Sequence, residues 1–134
     1  MGSPVPARLL GLERSGRVPK DSLRAPRRLA ALLERAPDVV GWVYNHRSGV
    51  GYSIDYDWKG YTSRYFPDFI VRAKFGEVAH NFIIEVKGRI DERDKAKARR
   101  GRRYCEMLTE FDTEPWHYIL LNENPSDKRQ DIQW

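Results

Sequence analysis

Asn81-Phe-Ile-Ile-Glu-Val-Lys-Gly88, NFIIEVKG, is the stretch on which the fold turns. Phe82 to Val86 is an apolar, β-branched run of the kind that fills a buried strand. Glu85 and Lys87 stand near its end, two residues apart, where charge is costly to bury. Strand side chains alternate between faces. Glu85 and Lys87 therefore project to one side, while Ile84 and Val86 pack on the other. Two charges on one face at a strand end mark a cleft.

The preceding strand carries another acid, in Tyr65-Phe-Pro-Asp-Phe-Ile-Val71. Asp68 also stands inside an apolar run. A short turn, Lys74-Phe-Gly-Glu77, joins the two strands and makes them neighbours. Asp68 and Glu85 then lie across from each other at one end of a sheet. Two carboxylates this close repel unless a cation sits between them. Oxygen ligands at an aqueous rim suit Mg²⁺, which keeps several waters. The carbonyl of Val86 would add a third protein ligand. Lys87 would stand beside the polarised water and offset charge building on a phosphate. Ion, water and ammonium at one point describe phosphodiester hydrolysis.

Around these strands the chain reads as one domain. Residues 1–20 mix Gly, Pro, Ser and Arg without periodicity and read as a flexible basic lead-in or a linker remnant; residues 21–134 form the domain. A helix is predicted over Ala25–Ala36, with Leu29, Leu32, Leu33 and Ala36 on one face and Pro37 after its end. Val39–Tyr44 is a strand, Arg47–Gly51 a turn, and Gly51–Tyr56 a strand pairing back on it as a hairpin. After the turn Trp58-Lys-Gly60, Tyr65–Ala73 is the third strand and Val78–Lys87 the fourth. Acids at Asp91-Glu-Arg-Asp94 open a helix over about 92–110, where the dipole favours them. Trp116–Leu121 is a last buried strand. A helix between the fourth and fifth strands lets them lie parallel. The fold class is α/β, a mixed sheet flanked by helices.

Composition bounds the rest. Charged residues make up 32% of the chain, so one modest core lies under a heavily charged surface. No apolar run reaches the ~20 residues a membrane-spanning helix needs, and no secretion signal is read at the N-terminus. The single cysteine, Cys105, leaves no internal disulfide and no cysteine-rich zinc site, and a cytoplasmic location is expected. It reads as a core residue, and His46, His80 and His117 as strand or loop residues without metal-ligand spacing. The net charge of +5 permits nucleic-acid binding. Lys95, Arg99, Arg102 and Arg103 recur at helical spacing on the second helix, with Lys97 and Arg100 alongside. They read either as contacts to DNA phosphates or as a solvated face.

Pro67-Asp68 followed by Glu85-Val-Lys87 resembles the PD-(D/E)xK nuclease motif. More narrowly, YTSRYFPDFIVR, FIIEVKGR, the acid-rich helix start and WHYILLNEN resemble the C-terminal endonuclease domain of type III restriction enzyme Res subunits, over about residues 30–124. The resemblance implies a restriction-endonuclease-like core that cuts DNA with Mg²⁺, with Mn²⁺ as a substitute. It makes Asp68 and Glu85 metal ligands and Lys87 the catalytic lysine. That family's first helix often supplies a further acid, and Glu34 is the candidate. No Walker-type stretch is present, so a helicase motor and a methyltransferase or specificity subunit would come from a partner or a missing domain. A double-strand break needs two active sites, so a homodimer or partner-mediated pairing is expected.

Other readings stay open at this point. Asp68, Glu85 and Lys87 also fit a cross-strand ion-pair cluster, worth only ~0.2–1 kcal/mol per pair. The chain also fits a non-catalytic basic module that docks DNA or a partner. A rival motif runs from Pro37-Asp38 to Asp57-Trp-Lys59, but neither half is embedded in an apolar strand.

Overall fold

The computed structural model describes residues 24–45 and 51–122. The expected lead-in, His46 and most of the turn at 47–51 lie outside the described residues. Helix α1 is Arg24–Arg35. Ala30 and Leu33 are buried against the sheet, and Leu29 and Ala36 pack at their margin. Leu32 does not join them and is 57% exposed. It sits about 100° round the helix from Leu33, outside the narrow contact stripe.

Six strands follow: β1 Val39–Tyr44, β2 Ile54–Trp58, β3 Tyr61–Tyr65, β4 Phe69–Phe75, β5 Val78–Lys87 and, after helix α2 (Glu92–Phe111), β6 Trp116–Asn122. Four form one mixed sheet in the order β1-β4-β5-β6. β1–β4 and β4–β5 are antiparallel, and β5–β6 is parallel through the α2 crossover. No helix among the described residues is long and apolar enough to cross a membrane.

Two expectations about the strands are overturned. The expected hairpin between Val39–Tyr44 and Gly51–Tyr56 does not form. β1 pairs instead with β4, and β2 pairs with β3 in a separate two-stranded sheet. Its turn, Lys59-Gly60, has φ +49° and +82°, the doubly left-handed geometry of a type I′ turn. Nor is Tyr65–Ala73 one strand. Phe66-Pro67-Asp68 interrupts it, because Pro67 has no N–H to give to a ladder. Tyr65 therefore ends the small hairpin and Phe69 begins the large sheet.

The sheet faces carry two cores. α1 covers one, with Val39, Trp42, Phe69, Val71 and Ile84. On the other face α2 packs with Ile70, Ile83, Tyr118 and Leu120, and the β2–β3 hairpin joins through Ile54, Tyr56 and Tyr65. α2 opens with a reciprocal cap: Asp91 accepts from the Asp94 N–H at 2.8 Å, and Asp94 accepts from the Asp91 N–H at 3.0 Å. Cys105 is buried in this core, and burial pushes its thiol up to about 12.

Candidate functional site

The site begins with Asn45, a fully buried residue just past β1. Its N–H donates to the Asp68 carbonyl at 2.6 Å. Its side-chain amide donates to the carbonyls of Tyr52 (2.7 Å) and Pro67 (2.9 Å) and accepts from the Tyr52 N–H (3.0 Å). One side chain thus closes the polar groups of two irregular segments. It fixes Pro67-Asp68 where the ladder has stopped.

The last β4–β5 ladder pair is Phe69–Ile84. One step beyond it, Asp68 Oδ2 accepts the Val86 N–H at 2.9 Å and takes the place of a backbone partner. Glu85, 6% exposed, faces Asp68 on the α2 side of the sheet, within hydrogen-bonding reach of its carboxyl. Burial, then that hydrogen bond and the Asp68 charge, holds Glu85 well above the ordinary carboxylate range; Lys87 and Lys97 oppose the shift.

Lys87 Nζ stands 3.4 Å from Asp94 Oδ1. Burial works against its charge, but Glu85, Asp94 and Asp68 outweigh burial and raise its pKa. Asp94 is itself pinned by the helix cap, so the start of α2 orients Lys87. Behind the acids the hydroxyls of Tyr65 and Tyr118 bond each other at 2.6 Å. Burial raises both phenols, and the Glu85 charge adds to it. They remain protonated and form a polar but neutral back wall.

The structure therefore brings Asp68, Glu85, Val86 and Lys87 together. Glu34 does not join them. It lies on α1, across the sheet, where its carboxylate accepts from the Trp42 indole at 2.7 Å. Lys95, Arg99 and Arg103 are exposed, and Lys95 pairs with Glu92 at 3.0 Å. Arg102 lies beside Cys105, Trp116, His117 and Tyr118, toward the β6 edge. None of the four faces the acid pair. The rival triplet stays apart as well: Asp57 accepts from Thr62, and Asp38 lies beside β4 through a carbonyl bond to the Lys74 N–H. His80 and His117 stack and hydrogen bond at 2.9 Å on the other face of the sheet. Among the described residues no group of three or more His, Cys, Asp or Glu converges as a metal cage.

Sequence reasoning missed Asn45 and Asp94 as site residues, and set Lys97 only alongside the basic stripe. Asp94 had a signal, the Asp91-x-x-Asp94 capping pattern. Lys97 lies over the Tyr65 ring at 5.5 Å and the Tyr56 ring at 5.9 Å, four residues after Arg93, which donates to the Tyr56 hydroxyl at 2.6 Å. A lone Asn after a strand carries no pattern at all.

The Glu85 environment fixes a pH dependence. The folded chain binds this proton more tightly than the unfolded chain, so the stability it brings is complete below the ordinary carboxylate range. It is lost as pH rises toward the folded value. Glu85→Gln keeps the neutral shape. In EDTA it should melt higher than wild type at about pH 8, by on the order of 2 kcal/mol, with the gap closing below about pH 4. Thermal unfolding followed by circular dichroism across that range is the check; a gap that ignores pH would contradict a neutral Glu85.

No family model, no curated protein and no solved structure matches the chain.

Proposed function

We propose that the chain is a Mg²⁺-dependent endonuclease domain with a restriction-endonuclease-like core, hydrolysing DNA phosphodiesters alongside a helicase or specificity partner. One observation carries this reading: Asp68, Glu85 and Lys87 meet where β4 and β5 stop pairing. Two acids facing each other there, one of them buried, are suited to take a divalent ion between them. Asp68, Glu85 and the Val86 carbonyl would hold Mg²⁺ or Mn²⁺, with water completing the octahedron. When bound, the ion supplies Lewis acidity and charge stabilisation at the scissile phosphate.

The chain's own groups do the rest. Lys87, charged and steadied by Asp94, orients a water or donates to a phosphate oxygen. Tyr65 and Tyr118 close the back of the site and raise the strength of the charges in front of them. Asn45 holds Asp68 at its register.

A non-cutting module that docks DNA or a partner is the second reading. The lack of a third acid or imidazole beside the pair, among the described residues, favours it. Supercoiled plasmid separates the two. Nicking with Mg²⁺ or Mn²⁺, absent with EDTA and absent in Asp68→Asn, is the expected result. Intact plasmid under every metal, with a partner motor supplied as well, would favour the docking module.

A further inference from the structure

The cations of the acid pair and of the neighbouring hairpin are not equivalent. Lys87 is committed to Asp94, Arg93 to the Tyr56 hydroxyl, and Arg100 to the Asp55 carbonyl at 2.9 Å. Lys97 differs from all three. Neither a hydrogen bond nor an ion pair joins it to another described residue. Lys97 is half-buried, its ammonium lies over two buried tyrosine rings, and that ammonium is close enough to Glu85 to act on its carboxyl. The rings fix where the ammonium can go without using any of its three donors. A cation preset in this way loses little entropy when an anion arrives.

From this we infer that Lys97 is the phosphate anchor of the site, and that the DNA backbone crosses α2 on the side facing the β2–β3 hairpin. The inference rests on the nuclease reading and says where its substrate lies. Lys97 is two positions from both Lys95 and Arg99, about 200° round the helix. The evenly spaced stripe Lys95–Arg99–Arg103 therefore looks away from the acids, and the side that carries Lys97 looks toward them, with Arg93 one turn earlier reaching the hairpin. A phosphate seated on Lys97 would lie beside the Asp68–Glu85 pair. That is the position expected of a backbone group next to the one being cut.

The test is binding of the full chain to a short fluorescent DNA duplex in EDTA, titrated against salt, so that no cleavage is needed. Loss of one phosphate contact lowers the slope of log K against log[salt] by about 0.9. Lys97→Met, which keeps an unbranched apolar stem and removes the charge, should show that drop together with a roughly tenfold weaker affinity at low salt. Lys97→Arg should restore the wild-type slope, which a merely structural role would not do. Melting curves establish that both variants fold. A wild-type slope in folded Lys97→Met, or no binding by the wild type at all, would overturn the inference. The two readings fail separately. Plasmid nicking with an unchanged Lys97→Met slope sinks the anchor and leaves the nuclease. A Lys97-dependent slope without nicking under any metal leaves the anchor and sinks the nuclease.

Discussion

Lys87→Ala is expected to lower the rate of DNA cleavage about 10³-fold, the usual size for losing one preorganised charged donor at a phosphate or oxyanion. Folding should survive. The Lys87 side chain is about a third exposed and its contact with Asp94 is long, 3.4 Å. Such pairs contribute at most ~1 kcal/mol after solvent screening. Asp94 also keeps its capping bond to the Asp91 N–H, so it is not stranded. The measurement is single-turnover cleavage of a labelled duplex with Mg²⁺, beside a melting curve of the same preparation. Cleavage at the wild-type rate would remove Lys87 from the chemistry. Attention would then pass to Lys97, the other ammonium acting on Glu85.

Gly101→Ala should cost the domain more stability than alanine at Gly60, Gly76 or Gly88. A Cβ built at Gly101 meets the Tyr118 ring at 2.5 Å, at both Cδ2 and Cε2. That ring has nowhere to move. It is 3% exposed, and its hydroxyl is bonded to the buried Tyr65. Alanine gains ~1 kcal/mol of helix propensity over glycine, but overpacking of a closed core costs up to ~3 kcal/mol, and more when backbone has to shift. The clash wins. A net loss of about 2 kcal/mol lowers the melting temperature by roughly 10 °C in a domain of this size. Because Tyr118 and Tyr65 back the acid pair, cleavage should fall as well, even below the melting range. An unchanged melting temperature would show that α2 can lift off β6 at little cost.

Much of this architecture was legible because periodicity is a local property. Val39–Tyr44 and Val78–Lys87 match their expected limits, and the second helix and last strand differ by one residue at an end. The parallel placement of β5 and β6 followed from the helix between them. Pairing was less legible. Proximity in sequence suggested that Gly51–Tyr56 folds back on Val39–Tyr44, but tertiary contacts decide partners. Asn45 turns β1 toward Pro67-Asp68, which delivers it to β4. The break at Pro67 was readable in principle, since a proline inside an apparent strand argues against continuity.

The candidate site divides in the same way. Strand alternation put Glu85 and Lys87 on one face, and a short turn put Asp68 opposite Glu85. Even spacing marks the basic stripe, but spacing does not say which side of a helix meets the sheet. Packing of Ala98, Gly101 and Cys105 turned Lys97 toward the acids, Arg93 toward the hairpin, and Arg99 and Arg103 to solvent. Glu34 was separated from the pair for a related reason: the sheet itself stands between them.

The small β2–β3 hairpin shows how polar groups set geometry inside a greasy interface. Hydrophobic contact is non-directional, so by itself it lets one body slide or swivel on another. Here Tyr52 bonds the Tyr104 hydroxyl, Tyr65 bonds that of Tyr118, and Arg93 and Arg100 reach back to Tyr56 and Asp55. These attachments lie on both strands and on the chain leading into them. Between them they remove the translational and rotational freedom that greasy contact leaves. The hairpin rides on α2 as one solid piece, a fixed rail rather than a flap.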